Sequence, residues 1–335
     1  MEEYLEELKN CNLCEWKCGA NRLKGELGVC KLEKPMIASA TLHPAPPQSY
    51  TIFMCGCNFK CLNCQNWKIA HYPDNNTTPR ELIDPKKIAK EAVEQLNSYK
   101  GKILSADRIF FSGGSPTPSL PYIEKIVQEA RKIYDVKVNY DTNGFMTLKS
   151  LKRILKFTTS ITFDIKAYNY EVHYALTGAS SDPVLRNAEY IAKNALDQLW
   201  EFRYLLIPEI NEEDVRPLSK FLANINQNIP LNFLAFRPNF VLEKYHGADK
   251  RHMEKAVKTA REEGLNNVEW SGRVGIKGKV LDIKAIEAIE YLSSGGQLAG
   301  GIAKQEGCIT HPRNCGVCNL NQNCPIKSYV AIRRT

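Results

Sequence analysis

The 335-residue chain is most usefully read first through what it lacks. No run of eighteen apolar residues occurs, so no membrane-spanning helix is expected. The opening Met-Glu-Glu-Tyr-Leu-Glu-Glu-Leu is acidic and amphipathic, unlike a secretory signal, and a cytoplasmic location is expected. There is no low-complexity tract and no internal repeat beyond strand–helix units. Cysteine is absent between Cys64 and Cys308. The six histidines are scattered, apart from His311, which stands inside the last cysteine group and could replace a thiolate.

What remains is informative. Hydrophobic residues make up 43%, enough for one large α/β core or two modest ones. The twelve cysteines fall into three groups: Cys11, Cys14, Cys18 and Cys30; Cys55, Cys57, Cys61 and Cys64; Cys308, Cys315, Cys318 and Cys324. In a cytosolic chain such grouping reads as metal ligation rather than disulfide pairing. Thiols used only as small apolar groups would scatter through the core. The formal net charge of +8 invites a nucleic-acid reading. Three thiolate-bound clusters would remove about five positive charges and leave about +3, so the charge is weak support for RNA or DNA.

Strand and helix patterns alternate from residue 50 to residue 236. Strands are expected at Tyr50 to Met54, Arg108 to Phe111, Val136 to Tyr140, Ile161 to Ile165, Phe202 to Ile207 and Leu231 to Phe236. Helices are expected between them. One opens at Asp84-Pro85, one is capped by Ser119 and runs to Tyr134, and the others span 147–157, 182–199 and 212–225. Repeated βα units imply parallel strands with right-handed crossovers, whose sites gather at the strand C-terminal ends. Residues 1–45 read as a loop-rich cysteine segment, 46–243 as the α/β body and 244–335 as a C-terminal extension. That extension carries a helix at 252–263, a short helix near 285–292 and a glycine-rich turn.

Cys57-Asn-Phe-Lys-Cys61-Leu-Asn-Cys64 has C-x3-C-x2-C spacing with no fourth cysteine following. Electron-transfer clusters normally use four cysteines. Three thiolates leave one iron of a cubic cluster open to a small molecule. On spacing alone, a zinc site or a set of buried thiols competes. The run, with Phe59 in the first gap and Gln65-Asn66-Trp67 after it, resembles the signature of the radical S-adenosylmethionine (radical SAM) superfamily. In its pyruvate formate-lyase-activating-enzyme-like subgroup the resemblance extends to further segments. It implies a partial (βα)6 barrel with cysteine-rich N- and C-terminal extensions, a 4Fe-4S cluster on Cys57, Cys61 and Cys64, and S-adenosylmethionine (SAM) at the open iron. It also implies reductive cleavage to a 5′-deoxyadenosyl radical, an electron donor such as ferredoxin or flavodoxin, and a protein or peptide substrate.

The other segments follow successive strands. Phe111-Ser-Gly113-Gly114-Ser115-Pro116-Thr-Pro resembles the glycine-glycine-acid-proline motif that cradles the methionine ammonium. Ser115 stands where an acid is usual, so backbone contacts are expected to dominate. Tyr140-Asp141-Thr-Asn143-Gly144 and Phe163-Asp164-Ile-Lys166, with Leu176-Thr177-Gly178, resemble further cofactor-binding segments. Asp141, Asn143, Asp164, Lys166 and Arg203 are the implied SAM ligands, and Ile207-Pro208-Glu-Ile-Asn211 matches a family turn. The opening Cys11-x2-Cys14-Glu-Trp-Lys-Cys18 to Cys30 resembles an uncharacterised branch of the subgroup. Cys315-x2-Cys318-x5-Cys324, with Cys308, resembles part of an auxiliary-cluster domain. Both flanking groups are candidates for a further iron–sulfur cluster or structural zinc. Two competing functions stay open: radical modification of a tRNA or cofactor precursor, and a zinc-containing nucleic-acid-binding protein without radical chemistry.

Overall fold

The structure is a computed structural model that describes residues 3–72, 82–278 and 290–331. Among the described residues it is a mixed α/β fold whose eight strands follow chain order, β1 to β8, in one mostly parallel sheet. Contacts divide the chain into two compact units, Met1–Asn58 with Lys68–Thr162 and Phe59–Trp67 with Phe163–Thr335.

The first unit holds β1 (Ile37–His43), β2 (Ser49–Met54), β3 (Arg108–Gly113) and β4 (Lys137–Thr142). β1 runs antiparallel to β2, whereas β2–β3 and β3–β4 are parallel. α1 (Trp67–Ala70) follows the cysteine loop, and α2 (Pro85–Asn97), α3 (Tyr99–Ile103), α4 (Leu120–Arg131) and α5 (Leu148–Phe157) come after it. α2 starts where sequence predicts, because Asp84 Oδ1 accepts from Lys86 N at 2.8 Å and Pro85 supplies a fixed φ. Thr147 caps α5 in the same way through Ser150 N. The expected Ser119 cap does not form. A short 3-10 turn, Thr117–Ser119, runs into α4, and the Ser119 hydroxyl makes no cap bond. α4 ends at Arg131, short of Tyr134, and buries Ile123, Ile126, Val127 and Ala130. Each such aliphatic side chain contributes about 1.5–3 kcal/mol when taken from water.

β5 (Ser160–Ile165) comes next. The second unit then carries α6 (Tyr170–Thr177), α7 (Asp182–Asn194), β6 (Leu199–Leu206), α8 (Val215–Ile225), β7 (Leu231–Ala235), α9 (Lys250–Glu262) and β8 (Val268–Ser271). β6–β7 and β7–β8 are parallel. The helix expected to reach Leu199 stops at Asn194, and β6 begins at Leu199 itself. The expected glycine-rich turn is a helix instead, α10 (Ser294–Gln305), followed by α11 (Pro325–Ser328). Most of the short helix expected near 285–292 lies outside the described residues. α10 packs Leu298, Ala299, Ile302 and Ala303 into one apolar cluster with Ala175 and Leu176 of α6.

A candidate radical site on the loop after β2

β2 delivers the chain to the cysteine loop, and the loop after β3 is stitched to its start. Gly114 N donates to Met54 O at 2.9 Å and Ser115 N to Gly56 O at 2.8 Å. Both glycines are required by close approach. Gly113 has φ +117, and a Cβ there would lie 2.3 Å from Met54 N and O. A Cβ on Gly114 would lie 2.1 Å from Gly56 O. Ser115 is 2% exposed, and its hydroxyl has no hydrogen-bond partner among the described residues.

Cys57 is buried and is framed by two asparagines. Asn58 Nδ2 donates to Phe145 O at 2.9 Å, while its Oδ1 accepts from Asn143 Nδ2 at 2.8 Å. Asn143 Nδ2 also lies 3.9 Å from Cys57 Sγ, and Asn143 Oδ1 accepts from Phe145 N at 3.1 Å. Asn143 therefore braces the motif's first cysteine. Asp141 accepts a 2.6 Å hydrogen bond from Ser112 Oγ, which fixes its carboxylate at the end of β4.

The rest of the motif belongs to the second unit. Lys60 N donates to Thr177 O at 2.8 Å and Leu62 N to Leu176 O at 2.9 Å, so the Leu176-Thr177-Gly178 segment holds the loop by its backbone. Asn239 Nδ2 donates to Cys64 O at 2.8 Å, and Trp67 stacks on Phe240 at 5.5 Å. Phe59 packs its ring against that of His173 at 5.4 Å. Burial pulls the pKa of His173 down to about 4, against the opposing bond of Nδ1 to Ala179 O, so the imidazole is neutral at pH 7. Lys166, the first residue past β5, pairs with Asp164 near the strand's end at 2.7 Å. Asn211 takes Ile207 N on its Oδ1 and donates to Lys166 O at 3.1 Å, which ties the Pro208-to-Asn211 turn to that segment. Arg203 is held by Glu201 at 2.5 Å, on β6 itself.

Among the described residues, no disulfide joins the twelve cysteines. The first group meets at the opening of the first unit: Cys11 hydrogen-bonds Cys18, and Cys14 feels the charges of Cys30 and Cys11. Cys55 packs in an apolar cluster with Cys30 of that group, Leu32, Met36, Ala38 and Tyr72. In the second unit Cys308, Cys315, Cys318 and Cys324 line one pocket together with Arg313. Burial pushes the Cys315 thiol up to about 11, while the charges of Arg313 and Lys60 oppose it. Among the described residues, no three His, Cys, Asp or Glu side chains sit as a single metal ion requires. Arg313 is 1% exposed. Its guanidinium donates to Ala175 O at 2.6 Å, Leu176 O at 3.2 Å and Lys60 O at 2.8 Å. Neither Arg313 nor Asn58 stands out from sequence. The one signal for each is its place within two residues of a candidate ligand cysteine, Cys57 for Asn58 and Cys315 for Arg313.

A family model described as the radical SAM superfamily matches residues 51–222. The chain belongs to the radical SAM superfamily. It is an enzyme of that type, similar to pyruvate formate-lyase-activating enzymes. It is 27% identical to the Staphylococcus epidermidis pyruvate formate-lyase-activating enzyme over 193 residues, 54% of this chain and 71% of the relative. It is 28% identical to an uncharacterised protein of Methanocaldococcus jannaschii over 271 residues, 77% of this chain and 76% of the relative. Among solved structures, Streptococcus suis SuiB bound to S-adenosylmethionine aligns with TM-score 0.47 at 14% identity, over 64% of this chain and 48% of that one. The radical SAM family implies a 4Fe-4S cluster and SAM. The donor set fits: three cysteines on one loop, with no fourth cysteine in the run. The buried, unpartnered Ser115 hydroxyl marks a polar place beside the paired glycines that a polar ligand can satisfy.

Proposed function

We propose that this radical SAM enzyme abstracts hydrogen from a protein or peptide. The observation that carries the reading is the three-thiol loop set directly after the parallel strand β2. When bound, the cluster and SAM supply a 5′-deoxyadenosyl radical. The protein's task is placement. Cys57, Cys61 and Cys64 hold three irons. Asn143 and Asn58 fix Cys57, and the Leu176–Thr177 carbonyls fix the stretch leading to Cys61. Gly113, Gly114 and Ser115, with Asp141 and Lys166, are assigned to SAM. Asp164 pairs Lys166 and keeps its ammonium localised. Arg203 is assigned to the same cofactor, with Glu201 as its present partner. The protein-substrate reading is supported by relatives named as activating enzymes of pyruvate formate-lyase. The C-terminal four cysteines are assigned to a second thiolate-held centre, iron–sulfur or zinc, and ferredoxin or flavodoxin to electron supply.

The test is anaerobic reconstitution with iron and sulfide, then dithionite and SAM. The wild-type chain is expected to release 5′-deoxyadenosine and methionine. Cys57→Ala, Cys61→Ala and Cys64→Ala are each expected to abolish the release. Cleavage retained in all three variants overturns the assignment.

A further inference from the structure

The N-terminal cysteines are brought together by a segment built around them. Cys11 N donates to Ala20 O at 3.2 Å and Gly19 N to Cys11 O at 3.1 Å, which closes a loop on Cys14 and Cys18. The backbone is left-handed at Lys17 (φ +44) and at Lys31 (φ +56), each directly beside a cysteine of the set. Such strain in a residue other than glycine persists where the surroundings demand one side-chain direction. Cys18 bonds Cys11, and Cys14 feels the charges of Cys30 and Cys11. Arg22, 1% exposed, points its guanidinium at Cys11 Sγ at 3.8 Å and anchors to Leu32 O and Pro118 O at 2.6 Å each. The bond to Cys18 and burial push the Cys11 thiol up, and the Arg22 charge opposes them.

This segment also reaches the radical loop within the same unit. Cys14 forms a β-bridge with Met146, and Thr147 N donates to Leu13 O at 3.2 Å. Trp16, between Cys14 and Cys18, packs its ring at a tilt against Phe145 at 5.0 Å and donates its indole N–H to Asn58 O at 2.7 Å. Asn58 is the residue after Cys57, and Phe145 O is the acceptor of the Asn58 side chain.

We propose that Cys11, Cys14, Cys18 and Cys30 hold a four-thiolate metal centre, iron–sulfur cluster or zinc, that seats Cys57 through Trp16 and Asn58. The metal part stands without the radical SAM reading, whereas the seating part rests on it. Trp16 is a positioning residue: its indole bond holds the Asn58 carbonyl, its ring packs on Phe145, whose carbonyl takes the Asn58 side chain, and the metal fixes Trp16. Four thiolates suit either metal in donor type; among the described residues no three of them sit as a single ion requires, so zinc would need them drawn closer than a cluster does, and the experiment separates the two.

The test uses the full chain, kept reduced and anaerobic, loaded either with ferrous iron and sulfide or with zinc, and alkylated with iodoacetamide. Cys18 is the exposed member of the set, so it reacts fast when unliganded. In one arm its alkylation, read by peptide mass spectrometry, is expected to slow at least about tenfold, the loss typical of a thiolate withdrawn from reaction. The arm that protects names the metal. Chelation, or Cys30→Ser, is expected to restore the fast rate. Cys57→Ala is expected to leave protection intact, so a failure of the radical reading does not imitate a failure of this one. Equal Cys18 rates in all arms overturn the centre. Trp16→Phe keeps an aromatic ring against Phe145 and removes the donor. It is expected to keep Cys18 protected, to change the paramagnetic resonance spectrum of the reduced, SAM-bound radical cluster, and to cut SAM cleavage about fivefold, the scale of one hydrogen bond. An unchanged spectrum with unchanged cleavage overturns the seating role.

Discussion

Gly114→Ala isolates the way the paired glycines act. The added Cβ would lie 2.1 Å from Gly56 O, 2.8 Å from Gly56 C and 2.9 Å from Ala70 Cα. All three are backbone atoms, so no side-chain rotation relieves the clash. Overpacking of this kind costs about 1–3 kcal/mol. The Ser115 N to Gly56 O bond is strained at the same point, which adds about 1 kcal/mol. A total of about 2–4 kcal/mol leaves a domain of ordinary stability folded. At about 2–3 °C per kcal/mol the midpoint falls by roughly 5–10 °C. Relief by moving Gly56 also shifts Cys57, one residue on, so iron bound after reconstitution is expected to fall as well. Gly275→Ala is the control, with φ +76 but no heavy atom within 4 Å of the new carbon. It carries left-handed strain alone, about 1–2 kcal/mol, and is expected to load iron fully. Thermal unfolding followed by circular dichroism, with iron counted per chain, reads both effects. A Gly114→Ala chain that melts with the wild type and binds its full iron would refute the reasoning.

Ser115→Ala removes a buried hydroxyl without a partner, so the ligand-free chain is expected to gain about 1 kcal/mol while SAM binding weakens about fivefold; calorimetry and SAM titration measure the two, and a destabilised ligand-free chain would contradict it. Arg313→Lys replaces a fork serving three carbonyls by a point charge, and a loss of at least about 2 kcal/mol is expected in denaturant unfolding; an unchanged midpoint would show that the fork does not matter. Burial lifts Asp214 to about 6 even though Asn169 N and Tyr168 N donate to it. A raised folded pKa means its stabilisation is present at pH below about 4 and is lost as pH rises through about 6. Relative to Asp214→Asn, the wild-type chain is therefore expected to lose roughly 2–3 kcal/mol between pH 4 and pH 7, and a flat difference across that range would refute it.

The parts of the fold that sequence revealed share one property. β2 to β7 are short apolar runs bounded by turn residues, and α2 and α5 open on side chains that do cap them. β1 was hidden because Ile-Ala-Ser-Ala-Thr-Leu-His is weakly apolar and, past its buried start, half open to solvent. β8 is four residues long, with Glu269 and Ser271 exposed. α10 read as a turn because four of its twelve residues are glycine. Tertiary packing overrides that propensity: a Cβ on Gly295 would lie 1.8 Å from Ile210 O, and one on Gly300 would lie 2.3 Å from the Tyr291 ring. At the site, the cysteine spacing was visible because ligation fixes residue type. The supports were not, because Asn58, Trp16 and Arg313 act through main-chain carbonyls that any residue can supply.

The glycine content of α10 also bears on the order of events during synthesis. Each interior glycine costs a helix about 0.5–1 kcal/mol relative to alanine, so α10 has little tendency to form by itself. It becomes helical by docking Leu298 and Ile302 against α6, which emerges from the ribosome more than a hundred residues earlier. Cys308 follows directly behind, and its N–H is held by Ala303 O at 2.9 Å. The C-terminal thiols are thus organised last, on a finished template, whereas Cys57, Cys61 and Cys64 are synthesised among the first strands. Metal delivery to the two regions is expected to be sequential in a pulse-labelled translation, with the C-terminal thiols the later to become protected.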